Sequence, residues 1–518
     1  MKLSVDALVA RDNVVFGYGW AFDQAADVNE IQFRLNLLDG TSVVLPVSYG
    51  RPRPDVARAF AAIPFASNSG WMIYAAWKGA PIVGGGLTGK LADGRLFDHP
   101  LPERFVNHES PRNGWSALYR RLLQANFFKR SSLLERAVPI EEVSPVLLRI
   151  RERLIESKQS HCTLVLDHDM GGGANHYSQR WIQQDLKRRP LLLRLTFEIN
   201  TLNYLVDLID SEGKERHRVS VSQIQELLTT TGCVDHVFYN DAVSFPHPDE
   251  VPQWLQSFRR RPGTRLSIAV HDYFSVCPSQ FLLNDAGKFC GIPTMQECQR
   301  CLPANENEFS GLFVSQFMPL WRERWGAALG AADEIICFSE SSRKLLHRAY
   351  PALVDSPVHV RPHPVQRFSR LPSIDVGAAL HLGVVGAIGI HKGARILQSL
   401  ADEIVSRGLP IQITVIGTLE LPCNPSVVRC TGSFEREALP ALIEESGANL
   451  FMLPSICPET FSYVTQELIS LEVPVVCFDL GAPADRVAAY ARGRVLPLEN
   501  ARSLLNALLQ FHRELVVA

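Results

Sequence analysis

The sequence predicts an α/β chain: two units in which strands alternate with helices, preceded by an all-β unit. Three observations carry this prediction. Short apolar strands alternate with helix-period segments in two series, from about residue 161 and again from about 380. A two-proline break, RPHPV at 361–365, separates the series. Before them, residues 1 to about 105 alternate apolar and polar positions with a period of two.

In the first unit, Ile31, Phe33, Leu35 and Leu37 alternate with Gln32, Arg34 and Asn36. Asp39-Gly40 marks a turn, and Val43, Leu45, Val47 and Tyr49 alternate again. This is a hairpin with one buried face. GWMIYAAW at 70–77 and the turn at Asp93-Gly94 continue the pattern toward a β-sandwich. Gly84–Gly86 has no strand-to-helix flank and reads as a plain loop.

Residues 106 to about 160 have helical spacing and basic faces. Trp115, Leu118, Leu122, Leu123, Phe127 and Phe128 stand beside Arg120, Arg121, Lys129 and Arg130. Such helices at 115–136 and 146–158 can pack with a solvated charged face or lie on an anionic membrane surface. The first α/β series follows: CTLVLDH with Gly171-Gly172-Gly173 and a helix from about Asn175, RLSIAVHDYF ending in His271-Asp272, and ADEIICFSESSRKLL, a strand, a serine cap and a helix. The second series is LHLGVVGAIG, IQITVIG, ANLFMLPS and VPVVCFD. Alternation of this kind implies parallel sheets covered on both faces, hence two Rossmann-like domains facing a cleft. The expected domains are 1–105, 106–365 and 366–502, with a C-terminal helix at 503–518 packing back on the 106–365 domain.

Composition narrows the function classes. A chain of 518 residues with 46% apolar and 20% charged residues is ordinary for globular domains. A net charge of −2 gives no footprint for nucleic acid. No apolar run approaches the roughly 18 residues that cross a bilayer. Asp6, Arg11 and Asp12 interrupt any signal-peptide core. The expected location is the cytoplasm or the cytosolic face of the inner membrane. Eleven cysteines, an odd number, argue against a disulfide framework. Cys277, Cys290, Cys298 and Cys301 include one CxxC pair; four thiolates at this spacing fit either a structural zinc or a set of reduced thiols in a long loop.

The chemistry is expected where PETFSYVTQELISLEVPVV (458–476) leaves the strand ANLFMLPS. Ligands bind at the carboxyl edge of open α/β sheets, and a helix starting near Ser462 offers N–H groups to phosphate. Glu459 in the loop and Glu467 in the helix's second turn suit a sugar nucleotide, one acid for each sugar. On spacing alone the pair fits better a glutamate complementing the helix dipole and a second, exposed glutamate. His271, at a strand end, reads as a site residue or a satisfied core histidine. Gly171–Gly173 reads as a site loop or a tight turn.

These stretches together resemble retaining glycosyltransferases of the GT-B fold, family 4. The residues that carry the likeness are the glutamate, seven residues, glutamate spacing in PETFSYVTQELISLEVPVVCFDLGAPADRV, the Lys-Gly helix opening in HLGVVGAIGIHKGARIL, the glycine loop in LDHDMGGGANHYSQRW, the His-Asp strand end in AVHDYFSVCP, and the segments ADEIICFSESSRKLL and RPHPV. They cover about 160 to 505 in the family's order. The resemblance implies a nucleotide-sugar donor, a glycan or lipid-linked glycan acceptor in bacterial surface polysaccharide or lipopolysaccharide assembly, and no required cofactor or metal. It assigns catalytic roles to His271, Glu459 and Lys392. Lys392 would neutralise the diphosphate, Glu459 would bind the donor sugar and Glu467 the ribose. Gly386, Ser462 and Tyr463 would hold the donor through backbone groups, and Gly172 and Gly173 would admit the diphosphate or the acceptor. Two positions depart from the pattern: Ala387 stands where the family has arginine, with Arg395 and Arg180 as substitutes, and Ser462 where glycine is common. His391 fits either a helper beside Lys392 or a solvated helix residue. A non-catalytic scaffold and a nucleotide-sugar epimerase use the same shell and are the rival readings.

Overall fold

The computed structural model describes residues 1–11, 13–77, 79–101, 145–229, 232–305, 317–365 and 367–517. The helix expected at 115–136 lies outside them. The N-terminal unit is two antiparallel four-stranded sheets, β1-β2-β6-β5 and β4-β3-β7-β8. Its strands are β1 (Lys2–Arg11), β2 (Val14–Phe22), β3 (Val28–Leu37), β4 (Ser42–Pro46), β5 (Ser48–Arg51), β6 (Gly70–Ala76), β7 (Ile82–Leu91) and β8 (Leu96–Pro100). The predicted hairpin is β3–β4, with Phe33 opposite Leu45 and Leu35 opposite Val43. Gly84–Gly86 is not a loop. It lies inside β7, paired with Asn36, Leu35 and Arg34 of β3. Three adjacent glycines erase the side-chain alternation by which a strand is read.

β2 is apolar on both faces for a physical reason. Val15 packs with Phe33, Trp71 and Ile73 inside the sandwich. Val14, Phe16 and Tyr18 instead join the core of the next domain, with Phe197 and Tyr204. Tyr74 Oη donates to Ser244 O at 2.6 Å across that seam, so the β unit is built onto the first α/β domain.

That domain holds an eight-stranded sheet, β12-β11-β10-β9-β13-β14-β15-β16. The strands are β9 (Cys162–Leu166), β10 (Leu192–Glu198), β11 (Asn203–Ile209), β12 (Lys214–Val219), β13 (Val234–Tyr239), β14 (Arg265–Ala269), β15 (Glu334–Cys337) and β16 (Val358–Val360). The strands from β10 through β9 to β16 run parallel. β11 and β12 add an antiparallel edge. Helix α1 (Gly172–Asp185) follows β9, and α2 (Glu340–Ala349) follows β15, capped by Ser339. In the helix Pro145–Glu156, Arg149 pairs with Glu215 and Arg153 with Asp210, so these two arginines face acids of the same domain.

The second sheet is fully parallel, in the order β19-β18-β17-β20-β21-β22. Its strands are β17 (His381–Ile388), β18 (Gln412–Leu419), β19 (Val428–Cys430), β20 (Leu450–Leu453), β21 (Val475–Phe478) and β22 (Gly493–Leu496). Its helices include α3 (Ala394–Ser406), α4 (Tyr463–Ser470), α5 (Gly481–Ala488) and α6 (Ala501–Val517). α6 does not pack back on the first α/β domain as expected. Leu504, Leu505, Leu508 and Phe511 pack with Leu397, Leu400 and Ile404 of α3 in the core of this second domain. Their spacing makes one apolar stripe, and the nearest stripe that can cover it is α3's. Two parallel-sheet domains with an antiparallel β unit at the N-terminus give the α/β, GT-B architecture. No described helix is long and apolar enough to cross a membrane.

Candidate active site

Strand order reverses at β17/β20 in the second sheet and at β9/β13 in the first. Such switch points open crevices at the strands' carboxyl ends. Lys392 follows β17, Glu459 follows β20, Gly171–Gly173 follow β9 and Asn240 follows β13. Both domains therefore bring their candidate residues to the same kind of edge.

In the second domain, Gly393 has φ +87°, and a Cβ there would lie 2.0 Å from Pro454 O. Only glycine lets the Lys392 loop cross the end of β20 this closely. The crossing sets Lys392 Nζ 3.2 Å from Glu459 Oε2, and Ser455 Oγ donates to Glu459 Oε1 at 2.5 Å. Burial pushes the Glu459 carboxyl up, but the Lys392 charge and the Ser455 and Lys392 hydrogen bonds outweigh it and hold the group below its usual value. The Glu459 charge in turn raises the Lys392 ammonium against the effect of burial. α5 props the loop from beneath, with Ala482 N donating to Glu459 O at 2.9 Å.

Ser462 precedes α4 at φ +62° and makes no side-chain cap, which leaves the first amides of the helix uncapped by it. A family glycine at this position would fit such a backbone without strain. Gly386 has φ +111°, and its nearest neighbour to an added Cβ is 3.8 Å away, so conformation rather than crowding selects it. Glu467 is not an exposed acid. It is buried and accepts from Arg436 Nε at 2.6 Å. Burial lifts its carboxyl above the usual range even though Arg436 opposes the shift. Arg436 also lies 4.1 Å over the Phe368 ring. Sequence reading missed this arginine, because nothing local separates it from a surface arginine.

The two domains meet around Tyr463. A Cβ on Gly173 would lie 2.9 Å from the Tyr463 ring, so this glycine admits a side chain of the facing domain. Gly172, at φ +83°, shapes the turn. Arg180 donates to Tyr463 Oη and to Pro364 O, both at 2.8 Å, so this candidate cation is already engaged. Arg395 is exposed on α3. His391 is buried rather than solvated, stacked on Phe281 of the cysteine-bearing loop at 4.1 Å and 7°.

His271 is half-buried at the end of β14. Asn240 donates through Nδ2 to Asp167 Oδ1 at 2.8 Å, which turns its Oδ1 toward His271 Nε2, also at 2.8 Å. His271 therefore carries its proton on Nε2 and leaves Nδ1 as an acceptor. Burial, then the neighbouring His363 and His168, push its pKa well below the ordinary value, so the ring is neutral. Its carbonyl accepts from Thr460 Oγ1 at 2.6 Å, tying the Glu459 loop to the His271 strand end. Cys277, Cys290, Cys298 and Cys301 are free thiols, and burial pushes Cys277 up to about 12. Among the described residues no group of three or more His, Cys, Asp or Glu is placed to hold a metal ion.

Residues 379–514, the span that holds Lys392, Glu459 and Glu467, match the family model described as Glycosyl transferases group 1. The chain contains a glycosyltransferase group 1 domain. No curated protein matches the chain. Among solved structures it is similar to a sucrose-phosphate synthase from Thermosynechococcus elongatus, at 15% identity over 68% of this chain and 89% of that one, with a TM-score of 0.45. It is also similar to the lipopolysaccharide outer core galactosyltransferase WaaB in its apo form, at 13% identity over 69% and 91%, TM-score 0.45. HepE of Anabaena in complex with UDP-glucose is similar at 14% identity over 67% and 89%, TM-score 0.41.

Proposed function

We propose that this protein is a retaining, metal-independent glycosyltransferase that moves a sugar from a nucleotide-sugar to a hydroxyl of a glycan or lipid-linked glycan. The observation that carries this reading is the Lys392–Glu459 pair at the sheet's switch point, beside the start of α4 and across from His271. Lys392 offsets charge on the diphosphate as the bond from the anomeric carbon to the phosphate oxygen breaks. Glu459 accepts hydrogen bonds from the donor sugar, and the free oxygen of Glu467 serves the ribose. The amides at Ser462 and Tyr463 and the glycine turn at Gly386 approach the diphosphate, with Gly172 and Gly173 on the facing side. The acceptor oxygen attacks the same face of the sugar, its proton passes to an oxygen of the leaving diphosphate, and no protein base is needed. Neutral His271 orients the donor sugar. The resemblance in sequence supports a role in bacterial surface polysaccharide or lipopolysaccharide assembly at the cytosolic face of the membrane, where the basic segment 115–136 would meet anionic lipid.

One observation favours a second reading, a scaffold that no longer binds donor. Ala387 supplies no cation, and Arg180 and Arg436 are held by protein partners. A thermal-shift panel with UDP, GDP, dTDP, ADP and CMP separates the two. A ligand at 100 times its dissociation constant adds about 2.7 kcal/mol to the folded state. A clear shift with one nucleoside diphosphate is expected. No shift at millimolar ligand overturns the transferase reading.

A further inference from the structure

Arg486 lies on α5, the helix that props the Glu459 loop. Its guanidinium carbon is 4.3 Å from the centre of the Phe461 ring, and its Nε donates to Ala482 O at 3.3 Å. Nη1 and Nη2 are both buried, and among the described residues no group accepts from either. Burial lowers the group to about 10, with the Glu459 and Asp485 charges opposing, so it stays charged at neutral pH. His363 meets the same Phe461 ring edge-on at 4.7 Å. Phe461 is thus gripped between a cation and an imidazole, two residues after Glu459 and one before the strained Ser462.

A buried charge whose donors have no protein partner costs stability, and an apolar side chain of similar length fills such a space without that cost. The arginine is therefore poorly explained as a stabilising residue, and its contacts converge on the loop that carries Glu459. α5 is also anchored to the other domain, because Ser341 N at the start of α2 donates to Asp485 Oδ2 at 3.1 Å. We propose that Arg486 is a positioning residue for Glu459: through Phe461 it fixes the loop from Pro458 to Ser462 at the expense of fold stability. The inference rests on Glu459 being the donor-sugar ligand.

The test uses the full chain as wild type, Arg486→Met and Arg486→Lys. Melting temperature is measured together with affinity for the nucleoside diphosphate that shifts the wild type. Turnover is read as release of UDP from UDP-glucose, or of the corresponding product where the panel selects another base. Arg486→Met is expected to keep or raise the melting temperature and to bind the nucleoside diphosphate within about threefold of wild type. It should slow release by at least about tenfold. Arg486→Lys keeps a cation over the ring and should recover part of the rate. A Met variant with wild-type turnover overturns the proposal. So does a parallel fall in melting temperature and turnover, which marks a plain structural role. A wild type that binds none of the nucleotides overturns the transferase reading and this inference with it, whereas failure of the Arg486 variants alone leaves that reading standing.

Discussion

Asp167 and Glu459 both follow the carboxyl end of a strand beside a switch point, yet one is buried, the other is half-buried, and their surroundings differ. Asp167 is fully buried and accepts from Ser178 Oγ at 2.6 Å, Arg194 Nε at 2.8 Å and Asn240 Nδ2 at 2.8 Å. Arg194 is in turn bound to Asp169 and to His168 O. Glu459 has one cation, Lys392, whose side chain is 35% exposed. The first network is closed and fixes shape, down to the tautomer of His271. The second is partly solvated. A satisfied polar network specifies structure, whereas a partly solvated pair can exchange partners at modest cost.

The sharpest way to break this comparison is to remove one carboxylate from each network. Glu459→Ala, and likewise Lys392→Ala, should lower transfer by about two orders of magnitude or more while changing stability by about 1 kcal/mol or less. Asp167→Ala removes the buried partner shared by Arg194, Ser178 and Asn240 and should cost about 3–5 kcal/mol. Urea titration together with a donor-turnover assay checks both. Full activity in Glu459→Ala, or an unchanged urea midpoint in Asp167→Ala, ends the distinction.

A smaller effect is expected from acid. His363 is 6% exposed, and burial, with Arg180 and Arg486 nearby, pushes its pKa down to about 3. Its folded pKa lies below the unfolded one, so the unfolded chain binds more protons between about pH 6.5 and 3. Stability should therefore fall as pH drops through that window, by about 1.4 kcal/mol per pH unit for this one group. His271 adds in the same direction. The Asp167 carboxyl is held below its usual value by Arg194, His168 and Ser178 against the opposing effect of burial. Its contribution is complete above the unfolded carboxyl value, near 4, and is lost only below it. Melting temperatures of wild type and His363→Phe should diverge between pH 7 and 5, the variant's curve being the flatter. Parallel curves would rule out His363 as the acid-sensitive group.

The smallest expected effect sharpens the donor loop itself. Ser462 pays strain at φ +62°, and Ser462→Gly should raise stability by about 0.5–1 kcal/mol, the relief of strain partly offset by backbone entropy. Chemical denaturation reads this directly, and a loss of stability would mean that the serine side chain holds the turn.

The residues that were legible in the sequence are those whose role is written in their neighbours. Period-two alternation marked β3 and β4, and apolar runs bounded by glycine and proline marked β9, β17 and β20. The Lys-Gly opening of a helix and the glutamates in PETFSYVTQEL marked the candidate edge of the second sheet before any contact was known. Local order along a chain fixes which segments become strands and which strand ends carry polar groups, because the β and α periods act over a few residues. Tertiary structure decided the rest. It set Arg436 on Glu467, Arg486 under Phe461, Phe281 on His391, Tyr463 against Gly173 and α6 on α3, and it turned Gly84–Gly86 into a strand. Each of these joins residues far apart in sequence, or replaces a missing local signal with a cross-strand partner. Burial and pairing at such distances depend on strand order in the sheet, which no short window of sequence contains.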